Sequence, residues 1–403
     1  MGRPLALAAP WVLPVSGPPL ENAVVCVDKG RISALGRRRE LSLPAGAELR
    51  ELDGCAIVPG LINAHCHLEL TDLRGRAPYW GNFASWLLRV AAERARLTHR
   101  PEESARRGLL LAEGAGTTTI VDVTNAWVVP EGRARVISLF EVLGLAPARA
   151  QTRLAELDRA AEQALAAGRL VGVSPHAVYT TCAELYRGCA ELAARRGLVF
   201  GTHVAEVPQE NELTRSGTSF FSPILERLGG RPRDWQPPGV SAIAYLDQLG
   251  CLGPRALLFH CNYADDEDIA LIARRGASVV FCPRSHRFFG HTAHPLPAML
   301  RAGVRVCLGT DSLASNESLD MRAETAAALE QFPELKPGQA LKLATLAPAQ
   351  ALGMGQTLGS LEVGRAAELV AFPLADRRDP YSFIFSDEPP ALVLFPKHGT
   401  SAE

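Results

Sequence analysis

Eight short runs rich in Val, Ile, Leu and Thr recur along the chain, and each is followed by a stretch of helical composition. They fall at 56–62, 117–123, 136–143, 170–174, 198–203, 256–260, 278–282 and 304–309. Helical patterns lie between them, at 84–97, 104–113, 154–167, 183–195, 242–249 and 265–274. The last opens on an acidic turn, which suits the positive end of a helix. Repetition of strand and crossover helix builds a parallel sheet, and eight such units in one chain most economically close on themselves. The predicted architecture is therefore an α/β fold, a (β/α)₈ barrel over residues 55–353.

The two ends have a different texture. Residues 1–54 contain alternating segments, notably AVVCVDKGRISALG, in which Lys29-Gly30 reads as a hairpin turn. Residues 354–403 include GSLEVGRAAELVAF, which reads as short strands around a Gly turn. Neither end is long enough to form a stable domain alone, so the two are expected to pack together as one small composite β unit beside the barrel. Two Gly/Pro-rich stretches, 229–239 and 284–297, follow the fifth and seventh strands and are expected as loops over one mouth of the barrel.

Composition narrows the partners. The formal net charge is −1, so no global field attracts nucleic acid or anionic lipid. Nine cysteines with no Cys-x-x-Cys pair do not make a disulfide framework, which fits a reducing cytoplasm. Prolines at 4, 10 and 14 interrupt the N-terminal apolar stretch and argue against a signal peptide. No apolar run approaches the roughly 20 residues needed to cross a bilayer. A cytoplasmic protein acting on a small molecule is expected. Barrels of this kind often self-associate, so a homo-oligomer is an open expectation, although no stretch specifies an interface.

Polar residues concentrate where strands end. The first run leads into His65-Cys66-His67, the fifth into His203 with Glu206 beyond it, the sixth into His260 and the eighth into Asp311. Strand ends of an α/β barrel converge on one face, so these distant residues share a pocket. A His-x-His pair alone is weak evidence, since a chain of this composition has about 0.25 by chance. Alternation nevertheless puts His65 and His67 on one side and Cys66 on the other. Together with His203 and Asp311 they make three neutral imidazoles and one carboxylate, a set suited to a borderline divalent ion such as Zn²⁺ or Fe²⁺. A shell of that kind leaves room for a water that ionises near neutral pH, which favours hydrolysis. Lys29, Lys336, Lys342 and Lys397 are the only lysines and none is near a barrel strand end. No bridging carbamate is therefore expected, and one metal ion per chain is predicted.

At these residues the chain resembles the amidohydrolase superfamily, in its triazine-hydrolase and aminopurine-deaminase (cytosine deaminase-like) branch. The resemblance rests on VPGLINAHCHLEL, SPHAVYT, THVAE, LFHC, VVFCPRSHRFFG and LGTDSLASNESLD, in that order. It implies a TIM barrel with a β-sandwich from both chain ends, and His65, His67, His203 and Asp311 as metal ligands. It also implies that Glu206 delivers a proton to a ring nitrogen and that His260 and Asp311 relay protons from the attacking water. HLELTDLRG and YWGNFASWLLRV look most like aminofutalosine deaminases, which serve an alternative menaquinone route. The activity implied is hydrolytic deamination of an aminopurine nucleoside at C6, with ammonia released. Alternatives within the same chemistry are S-adenosylhomocysteine, methylthioadenosine or guanine deamination, triazine chlorohydrolysis and cyclic-amide hydrolysis.

Candidate substrate contacts are Trp86, His176, Glu206, Ser315 and Asn316. Trp86 could stack on a base or sit in the core, and Ser315 and Asn316 could instead hold the loop after Asp311. His286, His291 and His294 lie in the stretch after the seventh strand and are read as part of a lid rather than a second metal site.

Overall fold

The structure is a computed structural model and describes residues 3–395 apart from 99, 219, 222–223, 226–234 and 293. Eight parallel strands run in sequence order: β6 (Leu61–Cys66), β7 (Thr117–Thr124), β8 (Arg135–Val142), β9 (Leu170–Pro175), β10 (Val199–Val204), β11 (Ala256–His260), β12 (Ser278–Phe281) and β13 (Arg305–Leu308). The ring closes where Thr310 and Asp311 amides donate to the His65 carbonyl, each at 3.0 Å, and Cys66 bridges Asp311. A Cβ at Gly309 would lie 2.9 Å from His65, so only glycine lets the last strand approach the first this closely. Alternate residues of successive strands, including Ile62, Ala64, Val121, Val123, Ile137, Leu139, Leu257 and Phe259, form one buried cluster. The barrel is thus filled by side chains, and its chemistry is confined to the strand ends.

The other sheet takes strands from both ends of the chain: β1 (Leu5–Val12), β2 (Leu20–Asp28), β3 (Arg31–Arg37), β4 (Glu48–Glu51), β5 (Cys55–Pro59), β14 (Leu369–Pro373) and β15 (Leu392–Leu394). It forks at β1, which pairs with β4 along Leu5–Ala8 and with β5 at Trp11 and Val12. Lys29 and Gly30 both have positive φ, 49° and 78°, as a two-residue hairpin turn between β2 and β3 requires.

Three expectations change. The run expected at 56–62 is two strands: Cys55–Pro59 pairs with β14 in the second sheet, and the barrel strand begins at Leu61. Gly60 is the pivot, since a Cβ there would fall 2.0 Å from Thr118 Oγ1. Continuous apolar composition hid this switch between sheets. The stretch 284–297 is not simply a loop, because Pro283–Phe288 forms a short helix with proline in its first turn and another begins at Leu296. GSLEVGRAAELVAF holds one strand, Leu369–Pro373, preceded by a turn at Gly364. Residues 1–2, 229–234, 293 and 396–403 of these stretches, Lys397 among them, lie outside the described residues.

Candidate active site

His65 lies within β6, and His67 follows it by one residue. The His65 ring stacks on Phe259 of β11, with centroids 3.9 Å apart, and neither ring nitrogen has a hydrogen-bond partner. Burial holds His65 well below the usual imidazole range and pushes His67 down to about 4 and His203 to about 3. All three rings are therefore neutral near pH 7, the state in which an imidazole can bind a metal.

Their hydrogen bonds fix the tautomers. His203 Nδ1 donates to the His176 carbonyl at 3.1 Å, leaving a lone pair on Nε2. A backbone bond to Val123 ties the other side of His67. The two Nε2 atoms then face each other at 3.2 Å. Opposed lone pairs repel, but two nitrogens bound to one ion at about 2.0–2.1 Å in a tetrahedral shell lie roughly 3.3 Å apart. Asp311 Oδ1 completes the group, 3.7 Å from His65 Nε2 and 3.8 Å from His67 Nε2. The donor set, its geometry and the orphaned His65 nitrogens all fit a divalent transition metal.

Asp311 is aimed by its neighbours. Its Oδ2 accepts from Ser285 Oγ at 2.8 Å and Ser315 Oγ at 2.6 Å, which leaves Oδ1 toward the histidines. Asn316 donates to the Thr310 carbonyl and to Glu324, and accepts from the Glu317 amide. The side chains of Ser315 and Asn316 are thus spent on the loop that carries Asp311. Asp311 and His260 have φ of 56° and 71°, and Ala205, beside Glu206, has 50°. Left-handed non-glycine residues at three strand ends are the local strain that functional sites tend to hold.

Glu206, His260 and Asp311 form a second group whose potential ligand atoms lie within 4.8 Å of one another. His260 Nε2 is 3.7 Å from Glu206 Oε1. Burial, then the charges of Asp311 and Glu210, raise the Glu206 carboxyl well above its usual range. Burial lowers His260 well below its own. Glu210 is fully buried and its carboxylate accepts from the amides of Ala205, Glu206 and Val207, which sets the loop that presents Glu206.

On the other side of His203 stand His176, whose Nδ1 meets Thr180 Oγ1 at 2.7 Å, and Glu141 at the end of β8. Burial, reinforced by Glu69, pushes the Glu141 carboxyl up to about 8 against the opposing effect of Arg94 and Asn125. Arg94 pairs with Glu69 at 2.8 Å, and Glu69 also accepts from Thr124 Oγ1 and the amides of Asn125 and Ala126. Trp86 is buried, donates its indole N–H to the Ala77 carbonyl at 2.9 Å, and packs against Phe83 and Phe289. His286 and His294 are buried, and His294 Nε2 donates to the His260 carbonyl, so this stretch packs directly behind the sixth strand end.

Sequence reasoning missed Ser285, Glu210 and Glu141. Glu141 carried a signal, as the one charged residue in the apolar run VISLFEVL. Lys29, Lys336 and Lys342 are exposed and stand on the hairpin turn and the C-terminal helices. Among the described residues, no helix is long and apolar enough to cross a membrane.

Known proteins resemble this chain over most of its length. The chain is 32% identical over 387 residues to the 5-methylthioadenosine/S-adenosylhomocysteine deaminase of Syntrophobacter fumaroxidans, covering 90% of this chain and 81% of that one. It is 32% identical over 328 residues to the aminodeoxyfutalosine deaminase of Deinococcus radiodurans, covering 76% and 75%. In fold it matches the aminofutalosine deaminase of Helicobacter pylori with a TM-score of 0.85 at 20% identity, over 97% of this chain and 98% of that one. An adenosine deaminase from Xanthomonas campestris, solved with bound zinc, matches with a TM-score of 0.76 at 27% identity, over 92% and 85%. The model of the amidohydrolase family matches residues 56–395, and the chain belongs to that family.

Proposed function

We propose that this chain is a metal-dependent hydrolytic deaminase that replaces the 6-amino group of an adenine-type nucleoside. The observation that carries the reading is the convergence of His65, His67, His203 and Asp311 beside a buried pair, Glu206 and His260. His65, His67, His203 and Asp311 would hold the ion, with Zn²⁺ the first candidate and Fe²⁺ the second. When bound, such an ion would supply Lewis acidity that lowers the pKa of water to about 7.

The chain's own residues handle the protons. Glu206, kept protonated by burial, donates to the ring nitrogen next to the amino-bearing carbon and turns that ring into an electron sink. His260, neutral and 3.7 Å from Glu206, orients the incoming water and accepts its proton with Asp311. Water oxygen adds to C6, one water proton passes through His260 and Asp311 to the amino nitrogen, the C–N bond breaks to release ammonia, and the remaining hydroxyl proton returns to Glu206 as the 6-oxo product forms. Aromatic deamination uses a donor aimed at a ring nitrogen, whereas cyclic-amide hydrolysis has less need of one.

Aminofutalosine is the first substrate to test, and with it a place in an alternative menaquinone route. Methylthioadenosine and S-adenosylhomocysteine follow, supported by the longer span of similarity to the Syntrophobacter deaminase. Guanine and triazines share the same proton chemistry and complete the panel. The proposed setting is the cytoplasm, and the proposed architecture is one barrel unit with a composite β unit from both chain ends. The test is elemental analysis of purified protein together with ammonia release from the panel. About one transition-metal ion per chain and turnover of a 6-aminopurine nucleoside are expected. Activity confined to cyclic amides would overturn the reading.

A further inference from the structure

We infer that Glu141, together with His176, binds the sugar hydroxyls of the nucleoside, and so selects ribosides over free bases. The inference rests on the deaminase reading above and deepens it. Glu141 ends the third barrel strand in register with Ser174, two residues before His176. It is 7% exposed, and its Oε1 has no hydrogen-bond partner. Asn125 bonds the carboxyl, and the Trp127 indole N–H holds the Glu141 carbonyl at 2.8 Å, so the free oxygen is fixed in place. Buried polar atoms are almost always satisfied, and one that is held rigid yet unpaired marks a place for a ligand.

The identity of that ligand follows from the neighbours. A carboxyl oxygen of Glu141 and ring nitrogens of His176 and His203 lie within 4.8 Å of one another, which is a spacing a cation could use. His203 has nothing left to give a second ion, however. Its Nδ1 donates to the His176 carbonyl and its Nε2 lone pair is directed at His67. Only Glu141 and His176 remain, too few to hold a metal but well placed to meet two hydroxyls on adjacent carbons. A carboxyl accepts from a hydroxyl in either protonation state, so the argument does not depend on its charge. Strand order supports the placement: β8 and β9 lie on one side of β10, and β11 with His260 lies on the other. A purine whose six-membered ring engages Glu206 and His260 carries its sugar on the opposite edge, toward the Glu141 side of His203.

The experiment compares wild type and Glu141→Gln on adenosine, 2′-deoxyadenosine and 3′-deoxyadenosine, with metal content measured on both proteins. For the wild type, removing the contacted hydroxyl should raise KM about tenfold. Glu141→Gln should raise KM for adenosine by a similar factor, move kcat far less, retain the metal, and add little on the deoxy analogue already lacking that hydroxyl. An equal loss on all three nucleosides would make Glu141 merely structural, and a fall in metal content would make it a ligand; either overturns the inference. Should Glu141→Gln not fold, the wild-type series decides alone, and equal KM for the three nucleosides overturns it. No ammonia from adenosine or from any other nucleoside overturns the parent reading as well, whereas turnover without hydroxyl selectivity overturns this inference only.

Discussion

The two sides of the barrel mouth are built on different principles. On the side of β10 to β13, Glu206, His260 and Asp311 crowd within 4.8 Å, the backbones of Ala205, His260 and Asp311 are left-handed, Ser285 and Ser315 aim Asp311, and Glu210 holds the loop of Glu206. On the side of β7 to β9, Glu69, Arg94 and Asn125 form a saturated frame around one carboxyl that has an oxygen to spare. On the reading proposed above, the first side moves protons and the second holds the sugar. Changes on the first should therefore act on turnover, and changes on the second on binding.

The largest effect expected is from removing the ion proposed at His65, His67, His203 and Asp311. A chelator should reduce ammonia release to background and Zn²⁺ should restore it; full activity in metal-free protein would remove the basis of the comparison. Glu206→Gln should lower kcat by about 10²–10⁴-fold with metal content unchanged. Undiminished turnover in that variant would take Glu206 out of the mechanism. Ser285→Ala removes one of two donors to Asp311 and should cost kcat about 5- to 30-fold, with weaker metal retention and little change in KM. A pure KM effect there would blur the distinction between the two sides.

The smallest effect is on stability. Burial pushes His286 and His291 down to about 4 and His294 to about 3 in the folded chain, against about 6.5 when unfolded. Between those values the unfolded chain binds more protons, so stability is full above pH 6.5 and is lost as pH falls toward 4. Denaturant midpoints should drop over that window, and His286→Gln should flatten part of the slope. A slope unchanged by that substitution would assign the acid sensitivity elsewhere.

Legibility in the sequence followed the same division. Seven of the eight barrel strands and the Lys29-Gly30 hairpin were readable because apolar runs and turn chemistry are local signals. The first strand was misplaced because 55–62 is apolar throughout, and only the close approach at Gly60 divides it between two sheets. His65, His67, His203, His260 and Asp311 stood out because strand ends of a barrel share one face. Ser285 and Glu210 did not, since their role is to orient another side chain, and serine after a strand or glutamate on a helix is ordinary. Glu141 was overlooked because it sits inside a strand, where a charged residue in an apolar run reads first as a pattern defect.

The most direct test is anomalous diffraction at the zinc edge from crystals of the metal-loaded, active protein. One peak within coordination distance of His65, His67, His203 and Asp311, with none at Glu141, is the predicted result. A peak held by other residues, or an active crystal with no peak among those four, would contradict the account.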